Sequence, residues 1–190
     1  FFITCPKGIE NLLLQELEAH NFEALKETVG GVYARGDFAL VYPFCLQSRL
    51  ANRVIWLLHN EPCSSKEQLF NALKDLPWSA CFSASKTFAV DAKGQNKFIK
   101  NSQYAALLLK DAVCDHFQAE QGMRPDVDVK NADVRLMIRF KKQYALVGVD
   151  VSGGSLHLRG YRLDGAKAPL KENLAAALIK RLPNIDKAEQ

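Results

Sequence analysis

The sequence predicts an α+β fold in two consecutive blocks. Three observations carry this: short alternating apolar runs separated by helical-period stretches in the first 60 residues, a second such series after residue 66, and turn residues at nearly every junction. A chain of 190 residues is long enough to bury a core without disulfides or metals. Its five cysteines, Cys5, Cys45, Cys63, Cys81 and Cys114, are odd in number and irregularly spaced, with no C-x-x-C. They read as free thiols of a reducing, cytoplasmic compartment, and neither a disulfide framework nor a zinc site is expected. No apolar run reaches the roughly 18 residues of a membrane span, and the N-terminus lacks the basic region of a signal peptide.

In the first block, residues 1–5 predict a buried strand ended by Pro6-Lys7-Gly8. Residues 9–21 have helical period, with Ile9, Leu12, Leu13 and Leu17 inward and Glu10, Glu16 and Glu18 outward. Residues 28–35 alternate as one strand around a Gly30-Gly31 kink, residues 39–50 are a helix, and 53–60 are a core strand. That β-α-β-α-β order suggests a small split-βαβ sheet.

The second block opens with a helix over 67–76 and a strand over 87–91. A basic loop, 93–100, leads to a helix capped by Asn101 or Ser102 and running to about Phe117. Residues 127–129 read as a short strand; 134–140 and 144–151 form a hairpin about Lys141-Lys142-Gln143. After Ser152-Gly153-Gly154-Ser155, a basic irregular stretch leads to an amphipathic helix over 170–182, with Leu170, Leu174, Ala177, Leu178 and Leu182 on one face.

Charge is uneven along this order. Residues 1–85 carry a net −2, residues 86–142 a net +4 and residues 153–182 a further +4. Such asymmetry points to an anionic partner for the later segments. Catalytic signatures are missing: there is no G-x-S-x-G and no Walker loop, and the four histidines are scattered. Asp150-Val151-Ser152-Gly153-Gly154 reads as a turn, without the third glycine and following helix of a nucleotide loop.

Nucleic acid is the better fit. Lys93, Lys97, Lys100, Asn101, Ser102 and Gln103 gather before and at a helix start, where free N–H groups and the helix dipole attract phosphate. Arg135 and Arg139 fall on one face of a strand, and Arg159 and Arg162 extend the positive charge C-terminally. The alternative for each is an ordinary solvated surface.

Certain residues also carry a family resemblance. Leu156-His157-Leu158-Arg159-Gly160-Tyr161-Arg162, followed by Ala168-Pro169-Leu170-Lys171-Glu172-Asn173-Leu174-Ala175-Ala176, resembles the junction between RNA-binding and catalytic parts in THUMP-containing rRNA methyltransferases. Asn101-Ser102-Gln103-Tyr104, and Gly36-Asp37 with Ser48-Arg49-Leu50-Ala51, are similar to the same family. The likeness is nearest to the N-terminal part of the bacterial 23S rRNA guanine-N2-methyltransferases of the RlmL type, and covers about residues 1–182.

The resemblance implies an N-terminal ferredoxin-like subdomain over residues 1–40, interleaved to about 60 and packed with a THUMP domain over 41–152. It makes 153–190 a linker and the first helix of a methyltransferase domain. It further implies that S-adenosyl-L-methionine belongs to that absent domain, so the fragment itself has neither enzymatic activity nor cofactor. The implied role is an RNA-binding, substrate-positioning module whose partner is structured RNA, 23S rRNA foremost, with no membrane or metal. With the catalytic domain absent, the 169–182 helix is expected to dock or to make an artificial dimer. A tRNA-modifying enzyme's THUMP module and a protein-interaction module without RNA are the competing readings.

Overall fold

Burial of Phe2 and Ile3 starts the first sheet. The computed structural model describes residues 1–160 and 169–182. Its chain divides into two compact units, one comprising Phe1–Ile55 with the described residues from Ser152 onward, the other Trp56–Val151. The change of unit at residues 55/56 falls within the expected interleaving to about 60, and the one at 151/152 lies beside the expected end at 152.

The first unit runs β1 (Phe2–Thr4), α1 (Glu10–Ala19), β2 (Glu23–Thr28), β3 (Gly31–Arg35), α2 (Phe38–Gln47) and the start of β4 (Arg53–Pro62). Strand order is β2-β3-β1-β4, and every neighbouring pair is antiparallel. This is the βαββαβ arrangement of a ferredoxin-like fold, two split βαβ units sharing one sheet. Sequence alternation alone misses β2 and merges its end into one kinked strand. In fact Val29 and Gly30 turn a hairpin, with Gly30 at φ +81°, and Thr28 pairs with Gly31. β2 escapes the apolar pattern because it is a sheet-edge strand, and none of its residues is fully buried. Gly31 is required for a different reason: a Cβ there would stand 2.3 Å from the Ile3 carbonyl oxygen.

Two glutamates expected on the solvent side are instead only 8% exposed. Glu10 accepts hydrogen bonds from the Gly8 and Gly30 amides at 2.7 and 2.8 Å, tying two turns together. Burial alone would raise its pKa, but these amides and Lys7 bring it below the ordinary glutamate value. Glu16 accepts from Ser48 Oγ at 2.8 Å and the Arg49 amide at 2.9 Å, fixing the turn after α2.

α6 (Glu172–Lys180) packs within this first unit. Its buried residues are Asn173 and Ala177, so of the expected stripe only Ala177 is buried, while Leu174 is half-buried. Asn173 Nδ2 donates to Asn52 Oδ1 at 2.8 Å and to the Leu50 carbonyl at 3.3 Å. These bonds fix the rotation of the helix and leave Leu170, Leu178, Ile179 and Leu182 exposed.

The second unit contains the rest of β4, then α3 (Lys66–Lys74), α4 (Trp78–Cys81), β5 (Phe88–Lys93), α5 (Ser102–Gln121), β6 (Val134–Lys141) and β7 (Tyr144–Asp150). Strand order is β4-β7-β6-β5, with β5 and β6 parallel and β6 and β7 antiparallel. One sheet face supplies Leu136, Ile138 and Phe140 to a core shared with Leu69 and Leu73 of α3 and Leu109, Val113 and Phe117 of α5. The Trp78 ring is fully buried, and its Nε1 donates to the Leu73 carbonyl at 2.7 Å. The expected strand at 127–129 is reduced to a single bridge between Val127 and Phe88. α5 outlasts its expected end by one turn and stops at Gly122, in the left-handed conformation at φ +67°.

Candidate nucleic-acid interface

The loop between β5 and α5 is held stiffly, and this sets the positions of its lysines. Gly94 lies at φ +81°, and a Cβ there would come within 2.5 Å of the Phe140 carbonyl oxygen. Asn96 Oδ1 accepts from the Phe98 and Ile99 amides at 2.9 and 2.7 Å, and the Asn96 amide donates to the Ile99 carbonyl at 2.9 Å. Ile99 is fully buried and anchors the loop, while Lys97 and Lys100 on either side are exposed. Asn101 then caps α5, its Oδ1 accepting from the Gln103 amide at 2.8 Å.

A second helix begins beside the first. Ser65 caps α3 by accepting from the Gln68 amide at 3.0 Å, and Gln68 Oε1 in turn accepts from the Ser64 amide at 2.8 Å. Lys66 is the first residue of α3, and its Nζ lies 5.1 Å from the centre of the Tyr104 ring on α5. Lys97 Nζ stands 4.7 Å from the centre of the Phe98 ring. Lys66, Lys97, Phe98, Lys100, Asn101 and Tyr104 together line an open groove of about 490 Å³. No carboxylate is among these lining residues. The groove therefore combines three ammonium groups, two aromatic rings and the starts of two helices, a chemistry suited to a polyanion with flat rings.

The ten sequence-predicted residues do not all meet there. Lys97, Lys100 and Asn101 do, and Ser102 and Gln103 follow on the first turn of α5. Lys93 belongs to β5, not to the loop, and lies in register with Arg139 of β6. Arg135 is on the same face of β6, but its guanidinium donates to the Val129 and Lys130 carbonyls at 3.2 and 3.1 Å. Arg159, in the other unit, donates to the carbonyls of Cys45, Leu46 and Ser48 at 2.9, 3.2 and 2.8 Å. It thus caps the C-terminal end of α2, a structural task where the sequence suggested an RNA contact. Arg162 lies outside the described residues.

Sequence reasoning missed Lys66, Phe98 and Tyr104. The Ser65 cap with Lys66 directly behind it was a usable local signal, but only the packing of α3 against α5 brings Lys66 to Tyr104. Among the described residues there is no group of three or more His, Cys, Asp or Glu placed to hold a metal, and no helix long and apolar enough to cross a membrane. All five cysteines are free. Asp150 to Ser155 do not fit a nucleotide loop: Ser152 Oγ donates to the Gly154 carbonyl at 2.9 Å, and no helix follows directly.

Comparison with known families decides the identity of both units. Residues 1–55 match the RlmL ferredoxin-like domain, and residues 63–150 match the THUMP domain. The chain is an RlmL-type ferredoxin-like domain joined to a THUMP domain. Curated relatives include the ribosomal RNA large subunit methyltransferase K/L of Aeromonas hydrophila, 45% identical over 181 residues. That match covers 95% of this chain and 25% of the relative, so the chain spans about a quarter of such proteins. Among solved structures, one reported as a predicted N6-adenine-specific DNA methylase from Listeria monocytogenes is similar at TM-score 0.82 and 25% identity, over 95% of this chain and 47% of that one. Another, at TM-score 0.79 and 26% identity over 94% of this chain and 48% of that one, was crystallised in complex with SAH. The lysine groove lies wholly within the THUMP domain.

Proposed function

We propose that this chain is the RNA-binding, substrate-positioning part of an AdoMet-dependent 23S rRNA guanine-N2-methyltransferase of the cytoplasm. The observation that carries the reading is the carboxylate-free groove at the starts of α3 and α5. Structured RNA meets Lys97, Lys100 and the first turn of α5 through its phosphates, with Lys93 and Arg139 as the next cations along the sheet. Reading of base edges within a duplex is minor, since the A-form major groove is too narrow for side chains. The relative's name, and its fourfold greater length, support a catalytic domain elsewhere in the whole protein that binds AdoMet and receives the target guanine. In this reading residues 153–190 are the linker and opening helix toward that domain. Arg159 and Asn173 hold the segment on the ferredoxin-like unit, which gives the following domain a fixed point of departure. The exposed Leu178, Ile179 and Leu182 then have a natural cover in that domain, and in this chain alone they are free to meet a second copy.

Counterion release provides the test. Binding of a structured rRNA hairpin, followed by fluorescence anisotropy across a salt series, is expected to weaken with a log–log slope of about −0.9 per phosphate contacted. A flat salt response overturns the proposal and favours a module that binds protein.

A further inference from the structure

The two helices of the βαββαβ unit hold matching places in its chain order but present unlike outer faces. α1 exposes Asn11, Gln15 and Glu18. α2 exposes Phe38, Tyr42 and Leu46, by 47%, 74% and 62%, and none of its ten residues is charged. We propose that this stripe on α2 is the face on which the catalytic domain of the same polypeptide seats. This rests on the reading above, which puts such a domain in the whole protein, and adds the surface that holds it.

Phe38, Tyr42 and Leu46 recur four residues apart and so form one line along the helix. The other side of α2 buries Val41 and Phe44 in the core. A helix that is apolar on both sides calls for cover on both. Leu158, 68% exposed, extends the stripe at its C-terminal end, since the next residue, Arg159, bonds the Leu46 carbonyl at 3.2 Å. Four side chains exposed to this degree offer on the order of 400–500 Å² of apolar surface, a patch of the size that marks an interaction site on a monomer. RNA suits it badly, because α2 has no cation to meet a phosphate. A second copy also suits it badly: stripe against stripe falls short of the roughly 800 Å² per partner of a standard stable interface. A tethered domain needs less area. Arg159 pins its segment to the end of α2, and the chain leads on from there to α6, which belongs to the same unit. The match to the Aeromonas hydrophila relative covers only 25% of that protein, which leaves ample chain for such a domain. Joined through this segment, the domain acts at an effective concentration in roughly the millimolar range, enough to seat on a modest apolar face.

Hydroxyl-radical footprinting, read by mass spectrometry, compares the 190-residue chain with the whole protein. Phe38, Tyr42 and Leu46 are expected to be oxidised roughly tenfold more slowly in the whole protein, as for a face that opens about a tenth of the time. Tyr42→Ser combined with Leu46→Ser should return Phe38 in the whole protein to the rate of the short chain. Both positions are exposed, so the melt of the 190-residue chain should not move. Equal oxidation of the stripe in the two proteins overturns the inference, and so does protection of Phe38 that survives the double substitution. Protection that appears in the 190-residue chain as its concentration rises assigns the face to a second copy, and protection that appears there on adding an rRNA hairpin assigns it to RNA; either result overturns the inference. Titration of the whole protein with AdoMet keeps the two levels apart. AdoMet binding with an unprotected stripe removes the docking face alone, whereas absence of AdoMet binding removes the catalytic-domain reading and the inference with it.

Discussion

Arg159 in the ferredoxin-like unit and Lys97 in the THUMP domain contribute the same charge to the sequence, yet the fold uses them in opposite ways. The Arg159 guanidinium is committed to three backbone carbonyls at the end of α2. Arg181 of the same unit donates to the Gly8 carbonyl at 2.6 Å, and Lys180 lies 3.9 Å from the Glu16 carboxylate. The net +4 of residues 153–182 is thus partly consumed in holding α6 and α2 in place. In the THUMP groove all three lysines are exposed, and Lys66 and Lys97 stand over aromatic rings. The difference follows from the side chains: a planar fork with five donors suits several fixed carbonyls at once, whereas a compact, hydrated ammonium suits a mobile contact with phosphate.

Arg159→Ala is the substitution expected to cost most. It leaves three carbonyls at a helix end without their charged partner, at about 2–3 kcal/mol in total. In the thermal melt this should appear as a fall of roughly 8–24 °C for the ferredoxin-like unit. Arg159→Lys should recover less than half of the loss, because one ammonium cannot span the same fork. RNA affinity should stay within about twofold of wild type. A stable Arg159→Ala protein with weakened RNA binding would reverse the comparison and restore Arg159 to the interface.

These contrasts explain what could be read from the sequence. Regular elements with strong apolar period, such as α1, α5 and β6, were legible because burial dictates their pattern. The edge strand β2 was not, since Glu23 to Thr28 bury little and carry no alternation. Glu10 and Glu16 were assigned to solvent because a carboxylate on a helix usually is; only the turns folded against them supply the amides that make burial tolerable. α6 showed an apolar stripe, but the polar Asn173 determines which face is inward. For the site, the loop-to-helix lysines were local in sequence and therefore visible. Lys66 and Tyr104 come from separate helices, and their meeting is a product of tertiary packing.

Glu10→Gln sharpens the comparison within the ferredoxin-like unit through pH. The substitution weakens the bonds from Gly8 and Gly30 and should cost about 1 kcal/mol near neutrality. Because the folded carboxyl titrates below its unfolded value, its stabilising share is complete above the ordinary glutamate pKa. That share is lost as pH falls through the depressed folded value. Melts of wild type and Glu10→Gln should therefore differ at neutral pH and converge on acidification. A gap that stays constant down to strongly acidic pH would mean that the shape of the Gln side chain, and not the charge, is responsible.

Lys97→Ala combined with Lys100→Ala should have the smallest effect on the fold and so make the opposite case to Arg159. Both side chains are exposed, and neither is a cap: Asn101 and the buried Ile99 hold the loop and the start of α5 without them. Surface substitutions of this kind stay within about 0.5 kcal/mol, so the melt should not move measurably. Binding of the rRNA hairpin should weaken, and the log–log salt slope should become shallower by about 1.8, the share of two lost phosphate contacts. Arg159→Ala, measured beside it, should leave that slope unchanged. If instead the double lysine variant melts early and keeps its slope, the loop lysines are structural and the RNA contact lies elsewhere on the THUMP domain, with Lys93 and Arg139 the next pair to remove.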